Sequence, residues 1–149
     1  MLMQMTRRED IIIETLLRKA DLKATKPRIA IYRVLQKQDK PLSIGAILGK
    51  LSGLQIDQVT LYRTIKSFKE AGLVIQVDFQ HDHAHYELTA RPHHHHLICI
   101  HCSRVEDVEA CDVAGIIASV LQKSSHFSKI SAHSLEFYGI CRFCAGTNV

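Results

Sequence analysis

The sequence predicts an α+β chain of two small domains, and three observations carry that prediction. Apolar residues recur at helical spacing through the first half. Short strand-like runs follow, bounded by turn residues. Charges and metal-type ligands are divided unevenly between the halves. Residues 1–80 hold 14 Lys/Arg and 8 Asp/Glu, a balance of +6, whereas 81–149 hold 5 and 7, a balance of −2. All 10 histidines and all 5 cysteines lie after residue 80. A basic half without soft ligands and a mildly acidic half holding every one of them implies two jobs.

Composition excludes several classes. The chain has 149 residues, 46% hydrophobic and 23% charged, an ordinary globular balance that argues against wholesale disorder. Its longest apolar runs are three or four residues, such as 11–13, whereas a membrane helix needs about 20. No membrane partner is expected. Arginines and acids precede residue 11 and no signal-peptide core follows, so a cytoplasmic location is expected.

The first domain is read as 1–89. Thr6, Arg7, Arg8 and Glu9 form a capping-box pattern opening a helix over about 7–20, with Ile12, Ile13, Leu16, Leu17 and Ala20 apolar. Thr25 and Pro27 open a second, burying Ile29, Tyr32, Val34 and Leu35. Ser43 caps a short third with Ile44, Ile47, Leu48 and Leu51 on one face. Asp57 caps a fourth that buries Leu61, Ile65 and Phe68 and ends at Gly72. A strand over 73–79 and another over 83–88 follow, with His81 and Asp82 near the turn. Helices followed by a two-stranded ribbon make a winged helix-turn-helix, which lays one helix in the DNA major groove. The fourth helix is suited to that task. Gln58, Thr60, Tyr62, Arg63 and Lys66 share its polar face; Gln and Arg read base edges, and Lys, Thr and Tyr hold phosphates. The +6 balance favours such contact over a merely solvated face.

Residues 90–92 read as a hinge, because Pro92 discourages helix before it. The second domain, 93–149, has strands at 93–100 and 104–109, a helix at 113–122 and a closing strand at 129–137. So short a domain needs a metal, disulfides or a partner chain. The pairs Cys99/Cys102 and Cys141/Cys144, 38 residues apart, match a structural Zn²⁺ site of four thiolates. A redox C-x-x-C needs only one pair, and Cys111 is spare. In the run His93–His96 successive side chains alternate faces of a strand, so one strand can feed two metal sites. His94 and His96, with Glu87, His81, His83, His85 and Asp107, are candidates for a site near the hinge. His93 and His95, with His133 and either Glu109 or Asp112, are candidates for a second. Mixed nitrogen and oxygen ligation suits exchangeable Zn²⁺, Fe²⁺ or Mn²⁺.

The stretches 22–28 (LKATKPR), 59–63 (VTLYR), 86–89 (YELT), 93–102 (HHHHLICIHC) and 133–141 (HSLEFYGIC) together resemble the ferric uptake regulator superfamily of bacterial metal-dependent repressors. The resemblance implies an N-terminal winged-helix DNA-binding domain, a small α/β dimerisation domain, and a homodimer on pseudo-palindromic double-stranded operator DNA. It implies repression of metal-uptake genes when the regulatory metal is bound. It places Tyr62 and Arg63 on the recognition helix, the four C-x-x-C cysteines in a structural zinc site, and Glu87, His94 and His96 at the hinge-proximal site. His93, His95 and His133 fall in the site inside the dimerisation domain. The chain departs from the pattern at Pro41, where the hinge site often takes a histidine, and at Ala114, where the second site takes an acid. Iron-sensing members usually have aspartate where His95 stands, which points toward a zinc uptake regulator.

The rival function is a zinc-dependent hydrolase of the deaminase type, faintly echoed by His85, Glu87, Cys99 and Cys102. Ile98 stands where that motif has proline, and Cys141 and Cys144 have no role in it. A metal-buffering protein is a third reading, which leaves the basic half idle. The sequence favours a regulator without catalytic residues or a small organic ligand.

Overall fold

The computed structural model describes residues 7–79, 83–109, 112–131 and 133–146. The expectations placed on Thr6, His81, Asp82 and Cys111 lie outside the described residues. The chain divides into two compact units, Met1–Ala90 and Arg91–Val149.

The first unit runs α1 (Arg7–Lys19), α2 (Lys26–Gln36), β1 (Leu42–Ser43), α3 (Ile44–Lys50), α4 (Gln58–Glu70), β2 (Val74–Val77) and β3 (His85–Leu88). The expected caps at the starts of α3 and α4 are formed. Ser43 Oγ accepts from the Ala46 N–H at 3.2 Å, and Asp57 Oδ1 from the Thr60 N–H at 2.6 Å. Thr25, by contrast, precedes α2 without a side-chain cap bond; Pro27 in the first turn removes one of the donors a cap would serve. Gly72 sits at φ +69°, and Leu73 N–H returns to the Phe68 carbonyl at 2.8 Å, so α4 ends in the six-to-one closure that a left-handed residue permits.

Leu17, Ile31, Ile47, Leu61 and Phe68 are fully buried where the four helices meet the ribbon. Tyr32 stacks edge-on against Phe68, ring centres 6.1 Å apart, and burial raises its phenol pKa. Arg33 is buried and closes an ion pair with Asp10 that ties α1 to α2. The ribbon is antiparallel, with Val74 opposite Leu88 and Val77 opposite His85. A third strand, β1, was not expected. It is two residues long, pairs Leu42 with Tyr86, and gives the sheet the order β1-β3-β2.

The second unit runs β4 (His95–Cys99), β5 (Val105–Val108), α5 (Val113–Gln122), β6 (Glu136–Gly139) and α6 (Arg142–Gly146). Its sheet has the order β5-β4-β6, with β4–β5 antiparallel and β4–β6 parallel. Cys99 ends β4, and the turn after it carries Cys102 and passes through Ser103 at φ +57°. The last strand corrects the expected 129–137. It begins at Glu136, because at Leu135 the backbone carbonyl serves the His95 imidazole instead of a strand ladder. The five-residue α6 was not expected either.

Candidate metal centres and nucleic-acid interface

The fold brings both cysteine pairs together, one from the β4–β5 turn and one from the start of α6. One Sγ from each of Cys99, Cys102, Cys141 and Cys144 lies within 4.8 Å of every other. All four are free thiols. Cys102 Sγ and Cys141 Sγ are 3.7 Å apart, far beyond a disulfide bond and close to the edge of about 3.8 Å that a tetrahedral Zn²⁺ with Zn–S near 2.3 Å requires. Backbone N–H groups already point at the sulfurs: Cys141 N–H donates to Cys99 Sγ at 3.3 Å, and Cys144 N–H to Cys141 Sγ at 3.5 Å. The first of these, with the Cys102 N–H, lowers the Cys99 pKa to about 5. The second lowers that of Cys141. Burial, reinforced by the neighbouring sulfurs, raises Cys144 to about 12. Four thiolates cannot coexist at this spacing without a cation, so the cluster is built for one. A four-thiolate cage has no open position and fits a structural ion.

A second cluster joins His93, His95 and His133, whose ring nitrogens also lie within 4.8 Å of one another. His95 is buried on β4, and its Nδ1 donates to the Leu135 carbonyl at 3.0 Å. That bond fixes the tautomer and turns the Nε2 lone pair toward His93 Nε2, 3.1 Å away. Two nitrogen ligands at about 2.1 Å from one ion stand at this separation when they meet it near a right angle. His133 approaches both rings, at 5.1 Å from His93 and 5.9 Å from His95 between centres. Shielding from water, then the charges of His95, His133 and His94, hold His93 below the ordinary histidine pKa. Neither expected acid joins this group. Asp112 instead caps α5, its Oδ1 accepting from the Gly115 N–H at 3.0 Å. A Cβ at position 115 would sit 2.1 Å from Asp112 Oδ2, so the glycine leaves room for that cap. Glu109 also stays out of the cluster. The donor set is all nitrogen.

The residues expected near the hinge divide between the two units. Glu87 is buried on β3, opposite Ile75. His94 and His96 belong to the second unit, with ring centres 5.0 Å apart. His94 Nδ1 donates to the Pro92 carbonyl at 2.7 Å, leaving Nε2 as its lone-pair nitrogen. Asp107 lies directly across the ladder from His96, Oδ1 to Nε2 3.9 Å, and its other oxygen forms a close ion pair with Arg91. Sequence reading missed Arg91, since only the strand register shows that it reaches Asp107. His83 and His85 enter no cluster of three possible ligands among the described residues. Their rings pack at 5.4 Å, with His85 also 4.7 Å from Phe79, so ring stacking occupies these two side chains.

On α4, Gln58, Tyr62, Arg63 and Lys66 are exposed and Thr60 is half-buried, while Leu61, Thr64, Ile65 and Phe68 face the core. Tyr62 and Gln58 line a cleft of about 540 Å³ that also touches His83 on the ribbon. Lys66 reaches Glu70 at 3.9 Å, a loose surface pair that a phosphate can outcompete. The Asp57 carboxyl is held below its usual pKa by the Thr60 N–H, so it stays ionised at the helix start. Among the described residues no helix is long and apolar enough to cross a membrane.

The model of the Ferric uptake regulator family matches residues 19–138. The ferric uptake regulation protein of Legionella pneumophila is 36% identical over 131 residues, an alignment spanning 86% of this chain and 95% of that one. Among solved structures, the Vibrio cholerae ferric uptake regulator superposes with a TM-score of 0.72 at 30% identity, covering 86% of this chain and 98% of that one. The Francisella tularensis ferric uptake regulator, solved with iron, gives 0.68 at 30% identity, covering 83% and 95%.

Proposed function

Because this chain belongs to the Ferric uptake regulator family, and is a transcriptional regulator of metal uptake rather than an enzyme, we propose that it represses metal-uptake genes by binding double-stranded operator DNA as a metal-loaded homodimer. The observation that carries this reading is the pair of ion-ready clusters, one all sulfur and one all nitrogen, in the same small unit. In the proposal Cys99, Cys102, Cys141 and Cys144 hold a structural Zn²⁺. Glu87, His94, His96 and Asp107 hold the regulatory ion near the hinge. His93, His95 and His133 hold a further exchangeable ion. The all-nitrogen donor set of His93, His95 and His133 favours Zn²⁺ there over Fe²⁺, and over Mn²⁺ still more, which points to zinc as the metal sensed.

The exposed face of α4 supports the DNA role: Gln58 and Arg63 would read base edges, and Thr60, Tyr62 and Lys66 would hold phosphates. The homodimer is supported by how little the second unit buries. Ile98 and Cys99 are its buried apolar residues among those described, while Ile116, Val120 and Phe137 are 47%, 51% and 43% exposed. Regulation follows from differential affinity. An ion held between ligands of the two units favours whichever arrangement of the DNA-binding units completes its coordination, and only to the extent that it binds that arrangement more tightly.

The test is a fluorescence-anisotropy titration of an inverted-repeat duplex at buffered free Zn²⁺, Fe²⁺ and Mn²⁺. Affinity should rise with metal, first with Zn²⁺. Equal affinity in chelator and in metal refutes the proposal.

A further inference from the structure

We propose that Arg91 is a built-in cation that occupies the carboxylate of Asp107 until a divalent ion displaces it, so that this arginine sets the metal threshold of the regulatory site. The inference rests on the assignment of Asp107 and His96 to that site.

Arg91 opens the second unit, and its Nη2 lies against Asp107 Oδ2 in a close ion pair. The two side chains are only 22% and 24% exposed, so water screens the pair weakly. A guanidinium keeps its charge at any physiological pH, and the pair therefore persists wherever Asp107 is ionised. It satisfies only half of the carboxylate. Asp107 Oδ1 is buried and accepts no hydrogen bond among the described residues. A buried oxygen without a donor is costly and calls for an explanation. This one faces His96 Nε2 across the β4–β5 ladder at 3.9 Å. That is too long for a hydrogen bond, yet within the roughly 4.2 Å that two ligands at about 2.1 Å can span across one ion. The carboxylate thus has one oxygen neutralised by a surrogate and the other set at ligand spacing from an imidazole.

An ion entering between Oδ1 and Nε2 places two positive charges beside the guanidinium, and like charges at that distance repel. Arg91 must withdraw, and the apparent metal affinity falls by the cost of breaking its pair. The withdrawal is felt nearby. Arg91 precedes Pro92, whose carbonyl accepts from His94 Nδ1 at 2.7 Å, so a shift of the arginine moves the support of a second proposed ligand.

The experiment measures zinc affinity beyond the cysteine site, by competition with a chromophoric chelator, in the full-length protein and in Arg91→Gln, Asp107→Asn and the double variant. Arg91→Gln should bind zinc about tenfold more tightly, the scale of one charge-assisted hydrogen bond. Asp107→Asn should bind more weakly, and adding Arg91→Gln to it should bring no gain. Equal affinity of Arg91→Gln and the parent, with Asp107→Asn weakened, overturns the displacement while sparing the site. A tenfold gain that persists in the Asp107→Asn background also overturns it, since the arginine then acts as a diffuse charge. Asp107→Asn binding as tightly as the parent removes Asp107 from the site and the proposal with it. Should a variant fail to fold, the Arg91 Nε–H resonance of the parent decides. It should exchange slowly with water before zinc and rapidly once zinc passes the cysteine site; no change overturns the displacement.

Discussion

Replacing Cys141 by serine should unfold the second unit and leave the first intact. Cys141 does three things there. Its sulfur stands 3.7 Å from Cys102, accepts the Cys144 N–H that begins α6, and its own N–H steadies Cys99. The unit has little else to lean on. A fully buried isoleucine such as Ile98 contributes about 1.5–3 kcal/mol, against the roughly 5–15 kcal/mol of a stable domain. A closed thiolate site contributes on the order of 10–16 kcal/mol of apparent binding energy to folding. Without it the unit has no comparable source of stability. Circular dichroism is the direct assay. The helices α5 and α6 are 10 and 5 residues long, against 13, 11, 7 and 13 for α1 to α4, so about a quarter of the helical signal should vanish. The remainder should still melt cooperatively, zinc content should fall by one ion per chain, and sedimentation should report a monomer. A Cys141→Ser protein with the parent's spectrum, melting curve and dimer mass would refute the reasoning, because the unit would then be held by something other than the thiolate cage.

Arg63→Ala should weaken operator binding by about 1–3 kcal/mol, read by anisotropy, with metal content unchanged in elemental analysis. Lys66→Ala should weaken binding to all duplexes alike and reduce the slope of log affinity against log salt by about one. Acid should strip the three-imidazole cluster. His93 is held below its ordinary value of 6.5, so folding disfavours its protonated form. Zinc there needs neutral rings, so its binding is complete above 6.5 and is lost as pH falls through the lower native value. Zinc retention measured from pH 7.5 to 5.5 in Cys-site-loaded protein should show a fall steeper than one decade per pH unit, since more than one ring must stay neutral. Asp57→Ala should lower the melting temperature of the first unit by about 4–8 °C at pH 7. Because the native carboxyl is depressed, its contribution is present above its ordinary value of 3.8 and fades as pH falls through the lower native one. The variant and parent should therefore converge in acid; a constant gap in calorimetric scans would remove the cap from the explanation.

The legible parts of this molecule are those where a local period or a short spacing carries the physics. Ile47, Leu61 and Phe68 sit at helical intervals and are buried where the period puts them. The fourth helix shows its polar face because the residues between those positions have nowhere else to point. The alternation of a strand sends His95 toward His93 and His133 while His96 faces Asp107. Two cysteine pairs with fixed internal spacing announce a tetrahedron without any knowledge of the chain path between them. Two-residue β1 carries no period at all, and β6 lies parallel to β4, a pairing set by the crossover through α5 rather than by anything within 136–139.

The carboxylates were the illegible part, and the reason is chemical. An aspartate before a helix serves as a cap or as a ligand with the same two oxygens, and the sequence around Asp112 suits both. The fold decides in favour of the cap, because the Gly115 N–H lies within reach and no Cβ obstructs the carboxylate. Asp107 poses the converse problem. The sequence offers it beside His96 as one candidate among several, and only the fold shows that it also pairs with Arg91 and stands directly across the ladder from His96. Removing an acid from the second cluster has a consequence for metal choice. Three neutral imidazoles bring no negative charge to the ion, so affinity there rests on nitrogen donation, in which Zn²⁺ exceeds Fe²⁺ and Mn²⁺. A variant returning an oxygen ligand to β4, His95→Asp, should narrow the gap between zinc and iron at this cluster. Metal competition by elemental analysis that leaves the zinc-to-iron ratio unmoved would show that the ring nitrogens of His93 and His133 alone set the preference.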